Sequence, residues 1–262
     1  MSSVNVSPVV FISGGATGIG RVLARRYLQA GGRVHVADVD PQAVQAFLEE
    51  NPTASGSVCD VGDVSQVDRA FDDLQARYHR LDVLINNAGI AGPTGRVEEI
   101  APADWDRTIA VDLNGQFYCA RRAVPLLRAS GGGSILCIAS TAGLFGFPLR
   151  SPYTVSKWAI IGFVKTLAME LGPEGIRVNA ICPGSVSGPR IESVIEKDAA
   201  SRGMAPQQIR DLYLRQTSMR TFIDAEDIAE MAFFLTSPAG AKISGQALAV
   251  DGHTEGLSNW LD

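Results

Sequence analysis

Two short stretches of the chain contain residue types and spacings that could carry chemistry. The first, Ser13-Gly14-Gly15-Ala16-Thr17-Gly18-Ile19-Gly20, lies near the amino end, and the second, Tyr153-Thr154-Val155-Ser156-Lys157, lies past the middle. Backbone amides without side chains can approach a pyrophosphate closely. A phenol and an ammonium four residues apart share one face of a helix. In this order, and with a serine upstream of the tyrosine, they indicate nucleotide-dependent redox chemistry.

The glycine loop provides clearance where a phosphate would touch the backbone. Gly14, Gly18 and Gly20 are the residues that supply it, and the start of the following helix adds partial positive charge. Their spacing is looser than Gly-x-Gly-x-x-Gly, so the loop alone is also compatible with a structural turn. Its position between a buried strand and an amphipathic helix favours phosphate binding.

Asp38 is expected at the end of the second strand, about twenty residues past the loop, where a carboxylate can accept hydrogen bonds from both adenosine ribose hydroxyls. A 2′-phosphate would be repelled there. Because Thr17 and Val39 offer no cation to clamp such a phosphate, the sequence favours NAD over NADP. Arg21 is a possible objection, and a turn residue before Pro41 is the alternative interpretation of Asp38.

Tyr153 is almost fully protonated near neutral pH unless its surroundings stabilise the phenolate, because the reference pKa of tyrosine is about 10. The ammonium of Lys157, one helical turn further on, could provide that stabilisation. Exposed helices also carry Tyr/Lys pairs at this spacing without any chemistry. The pair is therefore informative only together with the other motifs.

Strands and helices are predicted to alternate along most of the chain, from short apolar runs and from segments with one apolar side. The predicted strands are 9–12, 33–37, 55–59, 83–85, 134–138, 177–181 and 247–250. The predicted helices are 19–30, 41–50, 65–78, 105–113, 116–127, 153–171 and 225–235. This alternation implies one α/β domain over residues 1–262, with a doubly wound parallel sheet flanked by helices on both faces.

The segment 187–222 breaks this alternation. It is polar, contains both charge signs and follows a strand end, so we expect a substrate-binding loop or lid. An apolar wall is expected at 143–150. The arginines of the segment could clamp an anionic substrate group, although such charges more often lie in solvent or pair with carboxylates. They are Arg190, Arg202, Arg210, Arg215 and Arg220.

Together these motifs resemble those of the short-chain dehydrogenase/reductase family, and the resemblance extends over essentially the whole chain. It rests on the glycine loop, in which Ser13 replaces the usual threonine, on Asn86-Asn87-Ala88-Gly89 and on Tyr-x-x-x-Lys with its upstream serine. The resemblance implies a single Rossmann-type domain and a catalytic set. That set is Asn114, Ser140, Tyr153 and Lys157.

Within this set, the resemblance assigns each residue a role. Tyr153 would be the acid/base, and Ser140 would orient the substrate oxygen. Lys157 would hold the nicotinamide ribose and lower the tyrosine pKa. Asn114 would interrupt a helix and hold a water in a proton relay toward the lysine.

The resemblance also implies the cofactor contacts. Asn86-Asn87-Ala88-Gly89 would line the adenosine side, with Asn86 and Gly89 nearest, and Asp60 with Val61 would meet the adenine, although Asp60 alone is equally compatible with a helix start. The segment from Pro183 would pass the nicotinamide, and Gly188 replaces a threonine common in relatives. The full expected set is Gly14, Thr17, Gly18, Ile19, Gly20, Asp38, Asp60, Val61, Asn87, Ala88, Gly89, Tyr153, Lys157, Pro183, Gly184 and Val186.

The activity implied is NAD-dependent interconversion of a small-molecule secondary alcohol, such as a polyol or hydroxy acid, and its ketone. A 3-oxoacyl-type ketoreductase is an alternative. A second alternative is a regulator that senses NAD(H) without catalysis. Such regulators are expected to have lost the Tyr/Lys pair, which this chain retains.

Composition limits the other partners. The 262 residues include 23 Lys or Arg and 28 Asp or Glu, a net charge of −5 that argues against a nucleic-acid surface. Neither a secretion signal nor a bilayer-spanning segment is recognisable, so we expect a cytoplasmic protein that does not bind membranes. Cys59, Cys119, Cys137 and Cys182 show no ligand spacing, so buried free thiols are expected rather than disulfides, and no metal site.

A homotetramer is a further implication of the resemblance. The apolar runs Trp158-Ala159-Ile160-Ile161 and Met231-Ala232-Phe233-Phe234-Leu235 are consistent with subunit contacts, although a buried core would look the same. The tail Leu257-Ser258-Asn259-Trp260 could pack on a neighbouring subunit.

Overall fold

One parallel sheet forms the centre of the computed structural model, which describes residues 7–256. The predictions for the amino end and for the tail at 257–260 lie outside that range. The strands run in the order β3-β2-β1-β4-β5-β6-β7, and every neighbouring pair is parallel. They are β1 (Val9–Ser13), β2 (Arg33–Asp38), β3 (Ser55–Val58), β4 (Val83–Asn86), β5 (Gly133–Ile138), β6 (Ile176–Pro183) and β7 (Ala247–Val250).

Helices cover both faces of the sheet, which confirms the predicted doubly wound, Rossmann-type architecture. They are α1 (Gly18–Gln29), α2 (Pro41–Glu50), α3 (Val64–Tyr78), α4 (Pro102–Ile109), α5 (Gly115–Ala129), α6 (Ser151–Leu171), α7 (Pro189–Arg202), α8 (Pro206–Arg215) and α9 (Ala225–Thr236). A π-helical turn, Ala110–Asn114, joins α4 to α5 and interrupts the regular helix there.

Both faces of the sheet are buried because neighbouring side chains of a strand point to opposite sides. Phe11 of β1 packs in one hydrophobic cluster, with Phe71 of α3. Ile12, the next residue, packs in the other cluster, with Leu23 of α1. The wholly apolar sequence of this strand follows from burial on both sides.

The strand order places β1 between β2 and β4, so the crossovers run in opposite directions on either side of it. In such sheets a crevice opens at the carboxyl ends of the strands at this switch point. The glycine loop follows β1 directly and joins it to α1. The fold therefore positions the loop at the mouth of the crevice.

The segment 187–222, expected as a substrate-binding loop or lid, contains the two helices α7 and α8. Proline occupies the first turn of both helices, where its missing amide hydrogen costs nothing. A third hydrophobic cluster joins the two helices, with Phe147 and Phe222 packed against it. Its buried members are Ile191, Ile195, Ala199, Ile209 and Tyr213.

The four cysteines are buried and carry free thiols, as predicted. Burial raises the pKa of both Cys59 and Cys137 to about 12, which keeps these thiols protonated. Across residues 7–256, no cluster of three or more potential metal ligands occurs. No helix in that same range has the length and apolar character needed to span a membrane.

Candidate active site

A cavity of about 760 Å³ is lined by segments that follow the carboxyl ends of β1 to β6. It brings together every expected cofactor-contact residue except Gly20, together with Ser140. Asn86 does not line the cavity, because its side chain is fully buried and donates a hydrogen bond to the Gln116 carbonyl oxygen at 3.1 Å. The structure thus places Asn87, Ala88 and Gly89, rather than Asn86, at the cavity wall.

Gly20 contributes to the shape of the glycine loop from behind. A Cβ atom at this position would lie 1.9 Å from the Gly14 carbonyl oxygen, so only glycine allows α1 to pack this closely under the loop. Gly18 has a φ of 49°, in the left-handed region that favours glycine, and a Cβ there would meet nothing within 4 Å. The loop therefore presents an open backbone surface, which fits a pyrophosphate.

Hydrogen bonds from the β4 end fix the loop. Asn87 Nδ2 donates to the carbonyl oxygens of Ser13 and Gly14, at 3.1 and 2.9 Å. The Ser13 hydroxyl oxygen accepts hydrogen bonds from the backbone amides of Asn87 and Ala88, both at 3.1 Å. The serine in place of threonine thus keeps the hydroxyl contact.

The β2 and β3 side of the cavity carries two carboxylates. Asp38 Oδ2 accepts a hydrogen bond from the Ala16 amide at 3.1 Å, and the side chain lines the cavity at the end of β2. Asp60 pairs with Arg107 at 2.8 Å. Arg107 also lines the cavity, and nothing in the sequence predicted its position there. Arg21 forms an ion pair with Glu50 and does not line the cavity.

Ser140, Tyr153 and Lys157 lie together at the β5 side. Lys157 is 3 % exposed, its Nζ donates a hydrogen bond to the Ile138 carbonyl oxygen at 3.3 Å, and it lies 5.4 Å from the centroid of the Tyr153 ring. The Ser140 hydroxyl hydrogen-bonds with the Tyr153 side chain. Helix α6 and the segment after β5 thus bring three of the four expected catalytic residues into one cluster.

The surroundings of Tyr153 lower the pKa of its phenol. Burial acts to raise the pKa, but the positive charges of Lys157 and Arg190 and the hydrogen bond with Ser140 outweigh it. Asp112 acts in the opposite direction from the cations. The net effect favours phenolate relative to an ordinary tyrosine, as a general base requires.

Asp112, two residues before the expected Asn114, lies near Lys157. Asp112 is fully buried in the π turn, and its Oδ2 lies 3.9 Å from Lys157 Nζ. Its Oδ1 accepts a hydrogen bond from the Ile90 amide at 2.7 Å. Asn114, at the end of the same turn, does not line the cavity.

The sequence did contain a signal for Asp112. A carboxylate between Val111 and Leu113, in an otherwise apolar stretch, must be buried, and a buried carboxylate requires a cation or hydrogen-bond donors nearby. The family resemblance instead assigned the catalytic role to Asn114, two residues later.

Two guanidinium groups flank the Tyr153 ring. The Cζ atoms of Arg150 and Arg190 lie 5.2 and 6.0 Å from the ring centroid, and both side chains line the cavity. Arg150 was expected only as the end of an apolar wall. Its position beside the phenol was missed because nothing in the local sequence distinguishes it from a surface arginine.

Of the five arginines in the segment 187–222, only Arg190 lines the cavity. Arg202 pairs with Asp198 at 2.8 Å, and Arg210 pairs with Glu192. Arg220 donates a hydrogen bond to the Arg215 carbonyl oxygen. Arg202 and Arg210 therefore fit the alternative expectation, in which the arginines of this segment pair with carboxylates of the protein.

The sequence matches known proteins over almost its whole length. Residues 14–254 match a family profile described as enoyl-(acyl carrier protein) reductase. The chain is 37 % identical to momilactone A synthase of Oryza sativa subsp. japonica, over 94 % of this chain and 89 % of the relative. It is 33 % identical to D-beta-hydroxybutyrate dehydrogenase of Rhizobium meliloti, over 92 % and 96 % of the two chains.

Solved structures of related enzymes share the fold. An actinorhodin polyketide ketoreductase with NADPH superposes with a TM-score of 0.90 and 32 % identity, covering 96 % of this chain and 98 % of the other. An NAD+-bound xylitol dehydrogenase superposes with a TM-score of 0.89 and 27 % identity, covering 94 % and 98 %. With its sheet order, glycine loop and Tyr/Lys pair, the chain belongs to the short-chain dehydrogenase/reductase family.

Proposed function

We propose that this protein is an NAD-dependent oxidoreductase that interconverts a secondary alcohol and its ketone. The observation that carries the proposal is the Tyr153 phenol, whose pKa is lowered by Lys157, Arg190 and Ser140 against the effect of burial. The phenol lines the same cavity as the glycine loop. A proton acceptor and a phosphate cradle thus share one site.

The residues of the chain divide the work of a dehydrogenase. A bound nicotinamide would supply the hydride acceptor or donor. Tyr153 takes the hydroxyl proton during oxidation and returns it during reduction, while Ser140 holds the substrate oxygen. Lys157 stabilises the phenolate, and the Ile138 carbonyl oxygen and Asp112 hold its ammonium in place.

The NAD preference rests on Asp38. Its carboxylate lines the cavity at the end of β2, where it would accept hydrogen bonds from the adenosine ribose hydroxyls and repel a 2′-phosphate. Two arginines that could attract such a phosphate are engaged, since Arg21 pairs with Glu50 and Arg107 pairs with Asp60. Because the compared enzymes were solved with either NAD+ or NADPH, activity with the two cofactors must be compared directly.

A ketoreductase is the second candidate. The structural likeness to the polyketide ketoreductase favours it, and the same Tyr153 and Ser140 would then act on a ketone, with the phenol as the proton donor. The two candidates share the site and differ in substrate and in the direction of reaction. A regulator without catalysis is disfavoured because Tyr153, Lys157 and Ser140 form a cluster suited to proton transfer.

A homotetramer is part of the proposal. Apolar residues on the outer side of α6, at helical spacing, support contacts with another copy: Val155, Trp158 and Met169 are 45 %, 51 % and 82 % exposed. Ile160 of the same run is fully buried and belongs to the hydrophobic core. Only part of the run Trp158-Ala159-Ile160-Ile161, which was expected at subunit contacts, is therefore available to contact another copy.

The test replaces the phenol alone. The variant Tyr153→Phe is expected to lose about 100-fold or more of kcat, the usual contribution of a positioned acid/base, while binding NADH with unchanged affinity. Turnover is measured from NADH formation with secondary alcohols, polyols and hydroxy acids, and NADP is assayed in parallel. Near-normal turnover by the variant would contradict the assignment of Tyr153, and a preference for NADP would contradict the role of Asp38.

A further inference from the structure

We propose that the substrate carries a carboxylate, which Arg150 and Arg190 bind beside Tyr153. The inference rests on the proposed function, since it names the substrate class of that same site. Both guanidinium groups lie within 6.0 Å of the Tyr153 ring centroid, so the carboxylate would be separated from the reacting carbinol by only a short carbon chain. The substrates are therefore short hydroxy acids and the corresponding oxo acids.

Arg150 is a buried cation that forms no ion pair with another residue in the range 7–256. It is 6 % exposed and lies between two rings, with Cζ 5.4 Å from the Phe147 centroid and 5.2 Å from that of Tyr153. Its Nη2 donates to the Ala91 carbonyl oxygen at 2.7 Å, but its Nε is buried and has no hydrogen-bond acceptor in the part of the chain that the structure describes. Such an arrangement is costly unless a ligand completes it.

The backbone holds Arg150 in place. Leu149, the preceding residue, has a φ of 64°, in a region that side-chain-bearing residues rarely adopt, and its carbonyl oxygen accepts a hydrogen bond from Gly95 at 3.0 Å. Strain of this kind persists only where the surrounding structure enforces it. The turn that carries Arg150 into the cavity is thus fixed by contacts and not by local preference.

Arg190 supplies a second cation from another element. It lies in the first turn of α7, and its Nη1 donates a hydrogen bond to the Gly89 carbonyl oxygen at 3.2 Å. The positive charge of Arg190 acts to lower the pKa of Arg150, so the two groups repel one another. A shared anion would remove this repulsion.

Within residues 7–256, no carboxylate forms an ion pair with either arginine. Among residues 7–256, the carboxylates that line the cavity are those of Asp38, the last residue of β2, and Asp60, which follows β3. Arg150 and Arg190 instead follow β5 and β6. Arg107, the third arginine of the cavity, does have a carboxylate partner, and so do Arg202 of α7 and Arg210 of α8. Among the three arginines that line the cavity, the two without an ion pair in the described part of the chain are those beside the phenol.

A carboxylate suits this geometry better than a neutral polar group. Guanidinium groups present planar forks of donors that match carboxylate oxygens, and charge-assisted hydrogen bonds are stronger than neutral ones. The remaining wall at this end is largely apolar, with Phe147, Ile191 and Val194. The site thus combines an anion-binding corner with room for a short hydrocarbon part.

The first experiment measures binding without turnover. Pyruvate, acetoacetate and their neutral amides are titrated calorimetrically into the Tyr153→Phe protein, with and without NADH. We expect each anion to bind about 10- to 100-fold more tightly than its amide. Equal affinities within both pairs would overturn the proposal.

Two variants connect the preference to the arginines. Arg190→Gln, at an exposed position, and Arg150→Gln, each in the Tyr153→Phe background, are expected to weaken anion binding about 10- to 100-fold and to leave amide binding unchanged. The matched control is Arg69→Gln on the exposed side of α3, which should change neither. If Arg150→Gln does not fold, Arg190→Gln alone decides.

NADH affinity separates this inference from the proposed function. Loss of NADH binding in Arg190→Gln without loss of anion preference would overturn the inference, because the guanidinium would then serve the cofactor. Failure of the Tyr153→Phe protein and of the unmodified protein to bind NADH would overturn the proposed function. The titrations without NADH would still show whether the arginines bind a carboxylate.

Discussion

The acidity of the Tyr153 phenol depends on side chains from four separate segments. Lys157 lies on the same helix and Ser140 follows β5. Arg190 lies in the first turn of α7, and Asp112 lies in the π turn. Oxidation of an alcohol requires the phenolate, so its rate rises with pH as Tyr153 loses its proton. Because the pKa is lowered, this rise should occur below the usual value of about 10.

The substitution Asp112→Asn is predicted to move that rise to lower pH. The negative charge of Asp112 opposes ionisation of the phenol and raises its pKa, so removing the charge makes the phenolate easier to form. The asparagine oxygen can still accept the hydrogen bond from the Ile90 amide. The pH profile of kcat/KM for alcohol oxidation measures the shift.

The control for this prediction is Asp106→Asn, which makes the same change of charge at an exposed position on α4. Its profile should coincide with that of the unmodified enzyme. A profile of Asp112→Asn that is unshifted, or shifted to higher pH, would show that the carboxylate acts on Lys157 alone and not on the phenol.

Motifs predicted the residues whose neighbours are close in sequence, but not those whose role depends on distant contacts. Tyr153 and Lys157 are four residues apart on one helix, so their proximity follows from helical geometry. Arg150 and Arg190 meet at the phenol only because α7 packs next to the segment after β5. Asp112 faces Lys157 because the π turn places it there, which no local pattern encodes.

Elements were predicted well where apolar periodicity was strong. The strands of the sheet begin and end within two residues of the predicted bounds. Most of them, such as β1 and β4, are apolar runs next to turn-forming residues. Helices α7 and α8 were not predicted because their exposed sides dominate a polar sequence. Pro189 and Pro206, at the first turns, were signals that the composition concealed.

The packing of α7 on α8 makes a prediction at the scale of these elements. Ile209 of α8 is fully buried in their shared cluster, which is separate from the two clusters that cover the sheet. Truncation to Ile209→Ala should loosen α7, which carries Arg190, and raise KM for the substrate several-fold. Amide hydrogen exchange in α8 should become faster, because local opening requires less free energy.

The matched control is Ile135→Ala in the centre of β5, also fully buried. That change removes the same side-chain atoms from the main core, so it should lower the free energy of unfolding by about 2–5 kcal/mol. Ile209→Ala should lower it less, as judged by urea denaturation. An equal loss in both variants would mean that α7 and α8 unfold together with the sheet.

At the scale of the whole molecule, the sheet determines where all the functional segments meet. Parallel strands direct their carboxyl ends to one edge, and the reversal of strand order at β1 opens the crevice there. The glycine loop, Asp38, Ser140 and the segment from Pro183 each lie at the carboxyl end of a different strand. Alternation of strands and helices in the sequence was therefore sufficient to predict that these segments converge.

The outer side of α6 makes the last prediction, which concerns the assembly. Trp158 is 51 % exposed, and Gly162, one turn further on, leaves open space above the backbone. Exposed apolar side chains with helical spacing are typical of contacts between subunits. We expect light scattering to give the mass of four chains for the unmodified protein. The Trp158→Glu variant should give a smaller species, because burial of a carboxylate at the contact is unfavourable.

The control is Val97→Glu, which changes a residue that is 72 % exposed and lies outside α6 and which should retain the tetramer. A monomer in the unmodified protein, or a tetramer that persists in Trp158→Glu, would contradict a subunit contact through this helix.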